Sequence, residues 1–297
     1  MEEFAGFPCR LRKFVRTQDD EGQKENDNDF SASDVEHDPI LTGASTRLSS
    51  LRCLLRARTG NDLRVTRLPS LRSPIGFAHR GASAHARENT MEAFELALRL
   101  GAPALESDVW VTADGWAVLD HDGLVGRRPR RRPISECLRS ELPDHIPTLD
   151  ELYELIGDRI DLSLDVKDAR AALATVACAR VHTAESRLWL CHPERDVVSD
   201  WRLLSADAHL VESTRVAKMI GGPELHVARS TEAGIDVINM HHSDWTGGLI
   251  ATVHRFGLLA FGWDAQFERI LDELLDSGID AVYSDHVDRM CASLSRI

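Results

Sequence analysis

Beyond Ser73 this 297-residue chain alternates short apolar runs with amphipathic segments, and that alternation limits its fold more than any other feature. Each apolar run ends in polar residues, at 75–78, 104–109, 162–166, 187–191, 209–212, 237–240, 258–261 and 281–283. The clearest segments between them are 90–100, 149–156, 169–179, 246–256 and 266–277. Met91, Phe94 and Leu98 recur at helical spacing, as do Phe267, Ile270, Leu271 and Leu274, with Gly101 and Gly278 placed as helix stops. Eight such βα units over about 225 residues predict an α/β chain folded as a (β/α)8 TIM barrel. An open doubly wound sheet is the competitor, but no Gly-rich loop of the dinucleotide or Walker type favours it.

The first 73 residues read differently. Between residues 18 and 38 nine carboxylates face a single lysine, Lys24, with almost nothing apolar to bury. Ordering such a stretch costs about 1 to 2 kcal/mol per residue, so disorder is expected. From Arg47 to Arg72 the sign reverses, with seven arginines against Asp62. The expected organisation is thus a disordered acidic-then-basic extension over 1–73 and a barrel over 74–297. The net charge of −13 argues against nucleic acid as a partner, since phosphate backbones need a basic surface. Six scattered cysteines lack metal or disulfide spacing, and no apolar run reaches spanning length, so a cytoplasmic protein with free thiols is expected.

In a barrel, chemistry sits at the C-terminal ends of the strands. There Glu106 and Asp108 share one face of their strand, and two adjacent carboxylates invite a cation. Asp114-Gly115 signals a two-residue hairpin, which makes paired positions sum to about 229 and sets His121 opposite Asp108. This hairpin is a small excursion after the second strand. His79-Arg80-Gly81 ends the first strand with an acid/base group, a guanidinium fork suited to phosphate, and a flexible turn. Asp165 and Lys167 add a third carboxylate and a second cation. Three carboxylates favour Mg²⁺ or Ca²⁺ over zinc.

The ordered set His79-Arg80-Gly81, Glu88-Asn89-Thr90, Glu106-x-Asp108, Thr112-x-Asp114-Gly115, His121-Asp122, Ile146-Pro147-Thr148, Asp165-x-Lys167, Trp263 and Ser284-Asp285 closely resembles the glycerophosphodiester phosphodiesterases. The resemblance covers about residues 74–290. It implies metal-dependent hydrolysis of a glycerophosphodiester to sn-glycerol 3-phosphate and an alcohol. Carried over by position, His79 and His121 are the acid/base pair, and Arg80 and Lys167 hold the phosphoryl oxygens. Glu106, Asp108 and Asp165 bind the divalent ion, and Trp263 walls the substrate site. The chain departs from the family pattern at Asp165, usually Glu, and at Ser284, usually Thr, and it lacks a long insertion after His121-Asp122.

Arg127, Arg128, Arg130, Arg131 and Arg132 form a solvated loop, or else a weak contact for an anionic membrane surface, as does the basic arm. His241 and His242 are neighbours on one strand, so they are expected to face opposite ways. Two alternatives stand beside the hydrolase reading. One is a related phosphodiesterase acting on lysophospholipids, the other a catalytically silent barrel that binds phosphodiesters or anionic surfaces.

Overall fold

The computed structural model describes residues 67–127 and 129–297. The acidic stretch, the basic arm as far as Thr66 and Arg128 lie outside the described residues. All eight expected barrel strands form. β1 (Ile75–Ala78) and β2 (Ala104–Val111) are followed by three short strands, β3 (Ala117–Leu119), β4 (Leu124–Val125) and β5 (Arg132–Pro133). Then come β6 (Asp161–Val166), β7 (Leu188–His192), β8 (His209–Thr214), β9 (Val237–His241), β10 (Leu259–Trp263) and β11 (Ala281–Ser284). β1, β2 and β6 to β11 pair in parallel in that order, and β11 pairs back onto β1, which closes the barrel.

Among the described residues eight α-helices surround it: α1 (Met91–Arg99), α2 (Leu149–Ile156), α3 (Ala171–Val181), α4 (Arg195–Asp200), α5 (Pro223–Glu232), α6 (Gly247–Arg255), α7 (Glu268–Asp276) and α8 (Val287–Leu294). Their starts follow local chemistry. The Thr90 hydroxyl accepts from Ala93 N–H, and Thr148 and Glu151 form a reciprocal capping box at α2. No helix among the described residues is long and apolar enough to cross a membrane. Among the described residues, Cys137, Cys178, Cys191 and Cys291 form no disulfide.

The core has two layers. Outside the barrel, strand and helix side chains such as Leu105, Leu162, Leu190, Ile238 and Val282 pack with Phe94, Leu152, Val227 and Leu271. Inside it, Phe77 stacks on Tyr283 at 4.9 Å and meets Trp189 edge-on at 6.2 Å, with Phe261 5.2 Å from Trp189. These rings fill the lower barrel, so the open space lies above them, at the C-terminal ends of the strands.

Residues 67–73, placed with the extension on sequence grounds, are bonded to the barrel. Leu68 N–H donates to Asp276 O at 2.8 Å and Leu71 N–H to Asp280 Oδ1 at 2.7 Å. Asp280 is fully buried and also receives His254 Nε2 at 2.6 Å and Ala260 N–H at 2.8 Å. Removing a buried carboxylate strands each of these donors. Asp280→Ala is expected to lower the unfolding free energy by about 3 kcal/mol or more, read from denaturant melts; a loss within ~0.5 kcal/mol, typical of a surface change, would contradict this account.

Candidate active site

The first turn after β1 gathers most of the chemistry. His79 follows Ala78 at the top of β1, and Arg80 takes the left-handed conformation, φ 55°. Gly81 follows at φ 81°, where an added Cβ would lie 2.7 Å from the Ala93 backbone. Its glycine lets the turn pack directly on α1. The turn aims the Arg80 N–H at Glu106 Oε2, 2.9 Å away, and places His79 Nε2 3.9 Å from the same oxygen.

The other face of His79 is held from the far side of the barrel. Its Nδ1 lies 2.6 Å from Asp285 Oδ1, just past β11, and the Ser83 hydroxyl is 3.0 Å from that oxygen. Gln266 completes the support, donating to Asp285 Oδ2 at 2.9 Å and accepting Asp285 N–H at 2.9 Å. Burial lowers the His79 pKa, but Glu106 and the Asp285 bond outweigh it, so the net value is raised above 6.5. Burial raises the Asp285 carboxyl, but the hydrogen bond and charge of His79 bring it below its usual range.

Glu106 is buried, and desolvation drives its pKa up; His79 opposes and Asp108 adds to the rise, leaving it at about 7. Asp108 is more enclosed still and is surrounded by donors. Arg80 Nε is ion-paired to its Oδ2 at 3.1 Å, Asn89 Nδ2 donates to Oδ2 at 2.9 Å, and Lys167 Nζ sits 3.0 Å from Oδ1. Lys167 also reaches Asp165 Oδ2 at 2.5 Å. Burial opposes its charge, but Asp165 and Asp108 overcome this and raise its pKa. Both cations are therefore anchored on one buried carboxylate.

Above the aromatic plug lies a cavity of about 320 Å³, lined by His79, Arg80, Glu106, Asp165, Asn239 and Trp263, among others. Of the expected site residues, these five from the set (His79, Arg80, Glu106, Asp165 and Trp263) meet there. Asp108 and Lys167 lie behind the wall, Asp108 joined to it through Arg80 and Lys167 through Asp165. The expected ligand set is thus not one close cluster. Three other groups of described residues bring ligand atoms within 4.8 Å of one another, and Glu106, Asp108 and Asp165 are not among them. Lys167 stands between two of them, its ammonium paired with both Asp108 and Asp165.

His121 differs from expectation by one residue of register. The observed pairs Val109↔Leu119, Trp110↔Val118 and Val111↔Ala117 place Asp120 opposite Asp108, and Asp120 N–H donates to Asp108 O at 3.1 Å. The hairpin loop holds three residues, because Gly115 N–H closes a turn on Thr112 O and then adopts φ 87°. Thr112 fixes this shape: its hydroxyl donates to Asp114 Oδ1 and accepts Trp116 N–H. His121 lies in an adjoining cavity with Glu88, Asn89 and His145, its Nδ1 3.0 Å from Asp122. Glu88 binds Arg80 Nη1 at 2.8 Å and Asn89 binds Asp108, so the two cavities share a wall.

Of the strand-end residues, Ser213 and Cys191 line the cavity, whereas their neighbours Glu212 and His192 do not. Glu212 faces α5, bonded to Ser230 and His226. Strand alternation offers the signal: Asp165 is in register with Cys191, and Ser213 with Asn239, so these four form inward layers. The arginine loop is partly paired, Arg132 to Glu141 at 3.1 Å and Arg131 to Asp122 at 3.9 Å.

Asp285 had no assigned role on sequence grounds, and the geometry makes it the positioning partner of His79. Asp285→Asn is expected to lower the His79 midpoint in an NMR titration of the imidazoles, because two raising influences go while burial remains. Stability from the pair is fully present below the ordinary 6.5 of His79 and lost as pH rises through its raised value. On the Asp285 side it is present above the ordinary carboxyl value of 3.8 and lost on acidification. An unchanged His79 midpoint in Asp285→Asn would refute this role.

The model of the glycerophosphoryl diester phosphodiesterase family matches residues 79–289. Glycerophosphodiester phosphodiesterase of Caldanaerobacter subterraneus is 37% identical over 98 residues, 28% of this chain and 40% of that protein. The chain therefore spans about two fifths of that relative in the matched stretch. The Bacillus altitudinis glycerophosphodiester phosphodiesterase is 23% identical over 234 residues, 72% of this chain and 95% of that protein. Among solved structures, the Thermotoga maritima glycerophosphodiester phosphodiesterase superposes with a TM-score of 0.66 at 23% identity, covering 74% of this chain and 98% of that one. An Oleispira antarctica phosphodiesterase, in complex with the product sn-glycerol-3-phosphate, gives 0.65 at 21% identity over 75% of this chain and 97% of that one. With the family model spanning the strands that carry His79, Glu106, Asp165 and Asp285, the chain belongs to the glycerophosphoryl diester phosphodiesterase family, a family of phosphoric diester hydrolases.

Proposed function

We propose that this chain hydrolyses glycerophosphodiesters to sn-glycerol 3-phosphate and an alcohol. The observation that carries the reading is the clamp on His79: Nδ1 is committed to Asp285, so Nε2 is the nitrogen left to exchange protons with a ligand in the cavity. Beside it, Arg80 and Lys167 offer two fixed positive charges for phosphoryl oxygens, held on Asp108 and needing little reorganisation. The volume suits a glycerophosphoryl group with a small headgroup. Two polar atoms of its wall, Trp263 Nε1 and Asn239 Oδ1, are buried without a hydrogen-bond partner. A polyol hydroxyl can accept from the first and donate to the second, which fits a glycerol moiety; the product in the Oleispira structure belongs to the same class.

The chemistry is internal displacement followed by hydrolysis. A histidine takes the proton of the glycerol hydroxyl next to the phosphoester, whose oxygen attacks phosphorus. The bond to the alcohol breaks, and the leaving oxygen receives a proton from the second histidine. Water then opens the cyclic phosphate with the proton roles reversed. His79 fills one role and His121, across the wall formed by Glu88 and Asn89, the other. Arg80 and Lys167 draw charge onto the phosphoryl oxygens, and Asp285 keeps His79 in the productive tautomer.

The donor chemistry fits a divalent ion. Glu106 is a desolvated carboxylate whose pKa is pushed up to about 7, a condition that a cation relieves, and Asp165 lies on the same cavity wall. The residues that would hold Mg²⁺ or Ca²⁺ are Glu106 and Asp165, with Asp108 behind them. When bound, the ion supplies further positive charge for the phosphoryl oxygens.

The test is release of glycerol 3-phosphate from glycerophosphocholine by the purified chain, with Mg²⁺, with Ca²⁺ and with chelator, beside a detergent-dispersed lysophospholipid. Metal-dependent release from the first substrate is expected, and His79→Ala and Glu106→Gln are each expected to lower kcat by about 10²-fold or more. Asp165→Glu, which extends the carboxylate toward the ion, is expected to reduce the metal concentration needed for half-maximal rate. Absence of release under every metal, or full activity of His79→Ala, overturns the proposal; preference for the lysophospholipid reassigns the substrate.

A further inference from the structure

A second group of ligating side chains stands at the rim of the cavity, outside the machinery above. His241 ends β9 and His242 opens the turn that follows, so the chain bends between them and their rings lie side by side, 4.3 Å apart. This corrects the expectation that the two face opposite ways: strand alternation ends where the strand does. Asp264, just past β10, faces them from the neighbouring strand, and His241 Nε2 lies 3.0 Å from its Oδ2. Ligand atoms of all three residues lie within 4.8 Å of one another.

We propose that His241, His242 and Asp264 form a second cation site, selective for an imidazole-binding ion such as Zn²⁺, and that its occupancy restrains the catalytic cavity. Two nitrogens and one oxygen with an open fourth position suit Zn²⁺, whereas the all-oxygen carboxylates suit Mg²⁺ or Ca²⁺. His241 is arranged for this. Its Nδ1 accepts the Ser243 backbone N–H at 3.2 Å, which leaves the ring proton on Nε2 toward Asp264; an ion binding at Nε2 shifts that proton to Nδ1, where the Ser243 hydroxyl at 2.8 Å accepts it. The site must tighten to reach bonds of about 2.0 to 2.2 Å, and Asp264, half exposed, has room to swing inward. Arg215, a cation close to His242, is already paired with Asp244.

The position gives the ion a consequence. Asp264 lines the catalytic cavity and accepts from Gln266 Nε2 at 3.2 Å; the same amide nitrogen supports Asp285, which holds His79. His241 also packs edge-on against Trp263 at 4.6 Å. An ion that pulls on Asp264 and His241 therefore acts on the Gln266 amide behind His79 and on the Trp263 wall. The other two close groups lie elsewhere: His286 and Asp288 are at the start of α8 with His85 beside them, and Asp150, Cys178 and His182 lie between α2 and α3.

The experiment uses the full chain in millimolar Mg²⁺ and titrates Zn²⁺ against a chromophoric chelator, with imidazole NMR as a second readout. Expected is a site with Kd of about 1 µM or tighter, with the His241 and His242 resonances shifting on addition of Zn²⁺. His242→Ala and Asp264→Asn should each weaken that site by about 10-fold or more. Binding is read without substrate, so its outcome is separate from that of the hydrolase proposal. Zn²⁺ affinity unchanged in both variants, or Zn²⁺ shifts confined to other histidines, overturns the site. Where Mg²⁺-supported hydrolysis is measured, Zn²⁺ should inhibit it, and His242→Ala should keep the basal rate and lose the inhibition; inhibition that persists in His242→Ala overturns the coupling.

Discussion

Asp108 is the buried charge on which the site is organised. Almost wholly removed from water, it is tolerable as an anion because Arg80, Lys167 and the Asn89 amide all converge on it. That arrangement fixes two long, flexible cations, Arg80 on the cavity wall and Lys167 behind Asp165. Lys167 spans Asp108 and Asp165, Arg80 spans Asp108 and Glu88, and the N–H of Arg80 holds Glu106. Strands β2 and β6 and the turn after β1 are thus tied into one electrostatic unit.

The barrel supplies what that unit lacks. Aromatic rings close the lower interior, so ligands can enter from the C-terminal side. Closure of β11 on β1 brings Asp285 to His79 across some two hundred residues of chain. The resulting dyad, with Gln266 behind it, sets both the orientation of the imidazole and its raised pKa. Glu106, less fully compensated than Asp108, is the carboxylate with most to gain from a cation.

Much of this was legible beforehand because strand periodicity and turn chemistry are local. The eight strands and α2 lie where the apolar runs and the amphipathic 149–156 segment after Thr148 put them. α5 was not legible: it presents few apolar side chains, burying Val227 and Ser230, and the latter serves Glu212. Cys191 lines the cavity where the neighbouring His192 does not, because strand alternation and not chemical prominence decides which side chain points inward. The hairpin register was missed because Asp114-Gly115 admits two loop lengths, and the Thr112 side chain selects the longer.

The sequence by itself determined the barrel and brought His79, Arg80, Glu106, Asp108, Asp165 and Lys167 to strand ends, since these follow from hydrophobic period and position along a strand. The tertiary structure alone decided the partners. Asp285 rather than another carboxylate orients His79, Lys167 parts the expected ligand set, His121 occupies an adjoining cavity, and His241 meets His242 and Asp264. Each of these depends on distances across strands far apart in the chain or on a bend of the backbone, and neither leaves a periodic signal in sequence.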